Sequence, residues 1–186
     1  MIYTFRIQIN NITKPPVWRE VTVPAQFTFE QFHFVIQEAF GWYNCHLYQF
    51  SEKGYGSDYI ISVPSSDDWT EVKDSKKIKL NKIFHSINQT YVYIYDFGDD
   101  WIHKITLKEI SKENSLVATL LKAKGACPPE DCGGPWGYQN LLQIINDPKN
   151  PEYEEMREWL GLDEDEIWDT EDCDIDCPCV LVSSLS

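Results

Sequence analysis

A pair of cysteines on a loop is the first feature that could do chemistry. Cys127 and Cys132 lie in a stretch rich in proline and glycine, with four residues between them. Two thiolates on one loop can share a zinc ion, and His46 and His103 could complete a Cys₂His₂ set. The alternative is that the prolines and glycines fix a tight loop and the cysteines are small buried apolar side chains. A zinc site with the ligands His46, His103, Cys127 and Cys132 is therefore a hypothesis.

A second candidate is the acidic turn Asp96, Asp99, Asp100, followed by His103. Carboxylates and a histidine can bind a divalent cation or perform acid–base hydrolysis. If the turn has two residues, Asp96 and His103 share one face of a hairpin and lie diagonally within reach. If it has three residues, Tyr95 opposes His103 and the pair is lost. The alternative is ordinary turn chemistry, since Asp and Gly favour such bends.

Two tryptophans accompany these stretches. Trp101 follows the acidic turn and Trp136 follows the cysteine loop, which also carries Glu130 and Asp131. Large aromatic side chains usually belong to the core, but they can also form the wall of a ligand or peptide groove. We expect the two stretches to lie close together and to form a functional surface. The candidate binding residues are Asp96, Asp99, Asp100, Trp101, Glu130, Asp131 and Trp136.

Two functions fit these residues. The first is a non-catalytic interaction or ligand-binding module for a protein or small molecule. The alternative is a metal-assisted hydrolase or nuclease that uses Asp96, His103 and the Cys127–Cys132 loop. The sequence has no glycine-rich phosphate loop, no dinucleotide fingerprint and no Ser/His/Asp order that would indicate another enzyme. Zinc is the one cofactor that the pattern suggests.

The elements that must position these residues follow from periodicity and turn signals. Residues 2–8 and 17–23 alternate as strands do, and residues 91–110 form a hairpin turning at Gly98. Helical patterns occupy residues 137–146 and a segment capped by Asn150. This order predicts an α+β fold, with a mostly antiparallel sheet, one helix after the second strand and two C-terminal helices.

The first helix has the clearest boundaries. Thr28 and Gln31 form a capping box, and Gly41 ends the pattern. His33 falls on the face that we expect to be exposed to solvent, together with Glu30 and Gln37. The apolar face, which should pack on the sheet, consists of Phe32, Val35, Ile36, Ala39 and Phe40.

Charge divides the chain unevenly. The net charge is −14, and residues 150–186 hold 13 acidic side chains and one arginine. We expect one domain over residues 1–162 and a loosely held acidic tail over residues 163–186, which includes Cys173, Cys177 and Cys179. Because the tail repels phosphates, the sequence argues against a nucleic-acid partner.

Composition also restricts the compartment. No run of about 18 apolar residues is present, so no membrane span is expected. The first residues have no basic head followed by an apolar run, so they do not resemble a secretory signal. We therefore expect a cytoplasmic protein whose cysteines are reduced thiols or metal ligands.

Three stretches together resemble the plasmid pRiA4b ORF-3-like family, over roughly residues 2–169. The first is Lys14-Pro15-Pro16-Val17-Trp18-Arg19, continued by Gly41-Trp42 and His46-Leu47. The second is the segment from Tyr95 to Trp101 with His103. The third and most distinctive runs from Cys127 to Tyr138.

The resemblance implies a bacterial or archaeal protein of uncharacterised function. Some members are labelled mobile-element passengers or resolvases. A serine resolvase needs an N-terminal nucleophilic serine among clustered arginines, whereas the first serine here is Ser51 and the arginines are Arg6, Arg19 and Arg157. The family often has a second histidine after His46-Leu47, and Tyr48 stands in that place here.

Overall fold

The fold is built on one large sheet. The structure is a computed structural model that describes residues 1–66, 71–173 and 179–183. In these residues nine strands pair in the order β5-β4-β3-β6-β7-β1-β2-β8-β9, and all neighbours are antiparallel except β4 and β5. The α+β class with a mostly antiparallel sheet is confirmed. The strands are β1 (Ile2–Thr13), β2 (Pro16–Pro24), β3 (Tyr48–Ser51), β4 (Ile60–Ser62), β5 (Val72–Asp74), β6 (Thr90–Tyr95), β7 (Trp101–Ser111), β8 (Val117–Lys124) and β9 (Cys179–Ser183).

Helix α1 (Phe29–Phe40) begins and ends where its capping signals predict. Thr28 Oγ1 accepts a hydrogen bond from the Gln31 amide at 3.2 Å, and the Gln31 side chain accepts one from the Thr28 amide at 2.8 Å. Gly41 adopts the left-handed conformation that closes the helix. The apolar face is buried, and Phe32 packs on Phe5 of β1 with ring centroids 4.8 Å apart.

The expectation that His33 is exposed is wrong. The His33 side chain is buried, as is that of Gln37. Strands β3 and β6 cover this second face of α1: the His33 ring stacks on Tyr48 with centroids 3.7 Å apart, and its Nδ1 lies 2.8 Å from the hydroxyl of Tyr93. The helix therefore has two buried faces, one apolar and one polar.

The hairpin of β6 and β7 turns through five residues. Tyr95 pairs with Trp101, so the turn is centred on Gly98 as predicted. Both strand registers considered from the sequence, with a two-residue or a three-residue turn, are nevertheless wrong, because His103 pairs with Tyr93. Asp96 lies in the turn itself, where its carbonyl accepts a hydrogen bond from the amide of Asp100 at 2.8 Å.

Two helices follow the strands, α2 (Gly134–Ile145) and α3 (Tyr153–Leu160), and a short 3₁₀ helix spans Leu80–Lys82. Helix α2 starts three residues before the predicted position, because Pro135 is accommodated in its first turn. Asn150 is not the N-cap of α3. The N-cap is Glu152. The Asn150 side chain accepts a hydrogen bond from the Glu152 amide and so belongs to the turn before the helix.

The acidic tail makes several contacts with the domain in its described residues, and whether it is loosely held stays a prediction. The carbonyl of Thr170 accepts a hydrogen bond from the Ala126 amide at 2.9 Å. Trp168 donates its indole N–H to the Tyr138 hydroxyl at 3.2 Å, and β9 pairs with β8. Cys177 lies outside the described residues. In the described part of the chain, no helix is long and apolar enough to cross a membrane.

Candidate functional site

Three loops from distant parts of the sequence meet at one end of the sheet. They are the first loop (41–47), which follows α1, the hairpin loop (96–100) and the cysteine loop (125–133), which precedes α2. The Asp96 amide donates to the carbonyl of Leu47 at 2.9 Å, and the Trp42 indole donates to the carbonyl of Pro128 at 3.0 Å. The Gly133 amide donates to Asp99 Oδ2 at 3.1 Å. We call the surface formed by these loops and Trp136 the three-loop face.

Glycines permit the close approach of these segments. A Cβ atom at Gly134 would overlap the carbonyl of Asp99, and one at Gly137 would overlap the carbonyl of Cys132. Gly134 also has φ of 67°, a conformation that favours glycine. The close backbone contacts of α2 with the hairpin loop, at Gly134, and with the cysteine loop, at Gly137, therefore require glycine at these positions.

Glu130 joins the cysteine loop to the first loop and to the end of β6 through hydrogen bonds. The hydroxyl of Tyr95, at the end of β6, donates to Glu130 Oε1. The Tyr43 amide donates to Glu130 Oε2 at 2.9 Å, and the Cys45 amide donates to the Tyr95 hydroxyl at 2.9 Å. Burial and the adjacent Glu130 carboxylate raise the pKa of Tyr95. Glu130 is thus an anchor of the face.

A histidine and two aspartates cluster at the centre of the face. His46 Nε2 lies 3.1 Å from Asp131 Oδ1 and 3.7 Å from Asp96 Oδ2. The ligand atoms of the three side chains all lie within 4.8 Å of one another, and in residues 1–66, 71–173 and 179–183 no other group of three or more potential ligands meets this limit. Asp131 is exposed, whereas Asp96 is mostly buried.

Several exposed apolar side chains belong to the three loops or lie next to them in the structure or sequence. The Tyr55 hydroxyl donates to Asp100 Oδ1, and its ring lies 6.4 Å from that of Phe97. Trp136 is 76% exposed, in the first turn of α2. An indole that is exposed to this extent contributes little to the core, and a group of exposed apolar side chains is typical of an interaction surface. The exposed apolar residues on or beside the three-loop face are Tyr43, Leu47, Tyr55, Phe97 and Trp136.

His103 and Trp101 do not belong to this surface. Both side chains are fully buried, which corrects the expectation that they contact a ligand or metal there. His103 Nδ1 lies 2.9 Å from the Trp101 carbonyl, and its ring stands edge-on to Phe40 and Trp42. Desolvation by these rings lowers the pKa of His103 to about 3.

The four zinc ligands suggested by the sequence do not assemble in the structure. His46 lies with two carboxylates, whereas His103 is enclosed in the core, and Cys127 and Cys132 belong to no group of three ligands in the described part of the chain. Burial raises the pKa of Cys132 to about 12 and that of Cys127 further, which favours neutral thiols. Both cysteines pack against the core, as the apolar alternative expects.

A polar network behind the face was missed by the sequence reasoning. The Tyr93 hydroxyl accepts a hydrogen bond from Gln37 Nε2 at 2.9 Å and contacts His33, whose Nε2 lies 2.6 Å from Asn44 Oδ1. The Asn44 amide donates to Gln37 Oε1 at 3.0 Å. Burial lowers the pKa of His33 to about 4. The spacing of His33 and Gln37, one helical turn apart, was the available signal.

Similar proteins carry no described activity. Uncharacterized protein y4hQ of Sinorhizobium fredii is 35% identical over 153 residues, which cover 80% of this chain and 75% of that protein. The crystal structure of MM3350 from Methanosarcina mazei Go1, described as a protein of unknown function, has a TM-score of 0.77 at 32% identity and covers 92% of this chain and 94% of that one. A family model, described as plasmid pRiA4b ORF-3-like protein, matches residues 1–177. The chain therefore belongs to the plasmid pRiA4b ORF-3-like family.

Proposed function

We propose that the protein is a non-catalytic binding module whose three-loop face holds a basic segment of a partner protein. The observation that supports this most is the composition of the face. The three loops carry five carboxylates, of which those of Asp100 and Asp131 are exposed, with exposed aromatic side chains beside them, and no lysine or arginine occurs in these loops. The carboxylates belong to Asp96, Asp99, Asp100, Glu130 and Asp131.

Such a surface complements lysine and arginine chemically. Carboxylates pair with both cations, and aromatic faces attract them through the ring quadrupole. Exposed tryptophan and tyrosine are also the side chains that most often dominate protein interfaces. The chain's net charge of −14 extends the attraction beyond contact distance and favours encounter with a basic partner.

The hydrolase alternative receives less support. It required Asp96 and His103 to act in one site, but His103 is buried beneath Phe40 and Trp42 and is not accessible to a substrate. Neutral buried thiols at Cys127 and Cys132 are also poor nucleophiles and ligands. The geometry therefore favours recognition over catalysis.

The test is a titration of chelator-treated protein with an octapeptide of alternating arginine and glycine. Binding is monitored by the NMR chemical shifts of the protein's backbone amides. We expect shifts on the three-loop face and weaker binding at higher salt. Trp136→Ala and Asp100→Asn should each weaken binding at least about fivefold. Both side chains are exposed, and asparagine tolerates the positive φ of Asp100.

Matched controls lie at the other end of the sheet. Leu116→Ala and Glu113→Gln alter exposed side chains in the turn between β7 and β8, one 11-residue strand away from the hairpin loop. Binding should be unchanged in both. Equal binding of a glutamate–glycine peptide, or shifts centred on Leu116, would overturn the proposal.

A further inference from the structure

We propose that His46, Asp96 and Asp131 form a binding site for one divalent cation of the Mn²⁺ or Zn²⁺ type. The donor atoms are His46 Nε2, Asp96 Oδ2 and Asp131 Oδ1. The site goes beyond the proposed recognition of a basic segment and does not depend on it.

The spacing of the donors fits a shared ion. Ligands about 2.0–2.2 Å from a metal lie about 3.0–3.5 Å from each other when they are adjacent in octahedral or tetrahedral geometry. His46 Nε2 and Asp131 Oδ1 are 3.1 Å apart, and His46 Nε2 and Asp96 Oδ2 are 3.7 Å apart. The first distance lies within this range and the second a few tenths of an ångström beyond it, and all three donors lie within 4.8 Å of one another. Small side-chain movements would therefore bring them around one ion.

The imidazole nitrogen has no competing partner. His46 Nε2 is buried as an atom and makes no hydrogen bond within the described residues, although two carboxylates lie near it. Its approach to Asp131 is short but does not have hydrogen-bond geometry. A buried nitrogen left without a hydrogen bond is destabilising, and a metal ion would satisfy its lone pair.

Each ligand is fixed by its own segment. Asp96 Oδ1 accepts a hydrogen bond from the Gly98 amide at 2.9 Å, which leaves Oδ2 directed to His46. The His46 ring stands edge-on to Tyr95, with centroids 5.7 Å apart. Asp131 follows Glu130, which is anchored to Tyr95. The ligands are therefore held in place before the ion binds, which lowers the cost of assembling the site.

The donor set determines the kind of ion. One imidazole and two carboxylates suit borderline divalent ions such as Mn²⁺ and Zn²⁺, whereas Ca²⁺ and Mg²⁺ prefer oxygen ligands alone. The two carboxylates balance the charge of a divalent ion. Since Asp131 is 72% exposed at its side chain, water or a partner carboxylate can occupy the remaining positions.

Manganese is the appropriate probe, because Zn²⁺ also binds thiols and Cys45 is exposed beside His46. Chelator-stripped, tag-free protein is titrated with Mn²⁺ in calorimetry, and paramagnetic broadening locates the ion. We expect one ion per chain, with broadening centred on residues 46, 96 and 131. His46→Gln and Asp131→Asn should each weaken binding at least tenfold.

Controls match each substitution. His85→Gln and Asp147→Asn change exposed residues elsewhere and should leave Mn²⁺ affinity unchanged, as should Cys45→Ser. If His46→Gln does not fold, Asp131→Asn decides, since its side chain is exposed and asparagine tolerates φ of 59°. No Mn²⁺ binding below 1 mM, equal binding in Asp131→Asn, or loss in Cys45→Ser alone would overturn the site. Because the peptide titration contains no metal, the two proposals fail separately.

Discussion

The Tyr95 hydroxyl donates a hydrogen bond to the carboxylate of Glu130 and accepts one from the amide of Cys45. One side chain at the end of β6 thus joins the first loop to the cysteine loop, which are separated by 77 residues in the sequence. The ligands His46 and Asp131 each follow directly after a residue in this arrangement. Tyr95 is therefore the residue whose loss should disturb the three-loop face most directly.

Tyr95→Phe should destabilise the protein by about 1–3 kcal/mol, since it leaves two polar groups without their partner. It should also weaken Mn²⁺ binding, because His46 and Asp131 lose their common support. Urea unfolding and the Mn²⁺ titration measure the two effects. Tyr91→Phe is the control: Tyr91 is buried on the same strand, but its hydroxyl makes no hydrogen bond to the described part of the chain. Equal losses in both variants would contradict the role assigned to Tyr95.

Acid should destabilise the fold through its buried histidines. An unfolded histidine has a pKa of about 6.5, whereas burial lowers the pKa of His103 to about 3 and that of His33 to about 4. The folded state therefore binds fewer protons than the unfolded state. The stability that the neutral histidines contribute is present above pH 6.5 and is lost as the pH falls towards the folded pKa values. For each of the two histidines, the free energy of unfolding should fall by about 2 kcal/mol when the pH is lowered from 7 to 5.

The substitution His103→Phe isolates this effect. It keeps an aromatic ring against Phe40 and Trp42 and removes the nitrogen Nε2, which is buried and has no hydrogen-bond partner among the described residues. The loss of unfolding free energy between pH 7 and pH 5, measured in urea at both values, should be smaller by about 2 kcal/mol than in the wild type. His85→Gln changes an exposed histidine and should leave the loss unaltered. An unchanged loss in His103→Phe would show that His103 is protonated in the fold.

Local sequence signals predicted the helices and strands well, but they did not predict the tertiary contacts between them. The limits of α1 follow from Thr28, Gln31 and Gly41, all of which act within a few residues of one another. The hairpin was centred correctly, but its register depended on Asp96 and Asp100 both adopting positive φ, which the acidic turn allows without requiring. Contacts between the three loops depend on sheet order, which local periodicity does not contain.

The burial of His33 has the same cause. A polar residue on the polar face of a helix is predicted to be exposed, because the helical pattern does not show whether another element covers that face. Here the Tyr48 ring of β3 stacks on the His33 ring, and the Tyr93 hydroxyl of β6 contacts its Nδ1. The sequence suggested Asp131 as a binding residue and His46 as a metal ligand, but their proximity depends on the tertiary contacts of Glu130.

The edge strand β9 should contribute to stability through one of its faces. Leu181 packs against the core, whereas Val180, next to it, is 64% exposed. Leu181→Asp places a charge against apolar surface and should cost about 2 kcal/mol or more, while Val180→Asp should change the unfolding free energy by less than about 0.5 kcal/mol. Urea unfolding of the pair tests whether the acidic tail is docked in solution. Similar values for both would favour the loosely held tail that the sequence suggests.

Arg19 binds the backbone next to the starts of the first loop and the cysteine loop. Its Nε donates to the carbonyl of Ala39 at 2.8 Å, near the end of α1, and its Nη1 contacts the carbonyls of Lys124 and Gly125 at 3.1 Å. The side chain is buried, and in the described residues no carboxylate lies within 4.0 Å of it. The guanidinium is therefore held mainly by backbone carbonyls, with Cys173 Sγ 4.0 Å from Nη1 and the Phe40 ring centroid 5.0 Å from Cζ.

Arg19→Lys keeps the charge but should cost about 2–4 kcal/mol, because an ammonium cannot reach carbonyls on both sides and leaves some of them unpaired. Arg6→Lys is the control, since Arg6 lies over the Trp18 ring at 4.1 Å and a lysine can preserve that contact at a cost below about 1 kcal/mol. Urea unfolding compares the two. Because Gly41 and Gly125 begin the first loop and the cysteine loop, Arg19→Lys should also weaken Mn²⁺ binding under conditions where the variant is still folded. Intact stability and intact binding in Arg19→Lys would mean that charge alone, and not the fork of the guanidinium, holds these loops.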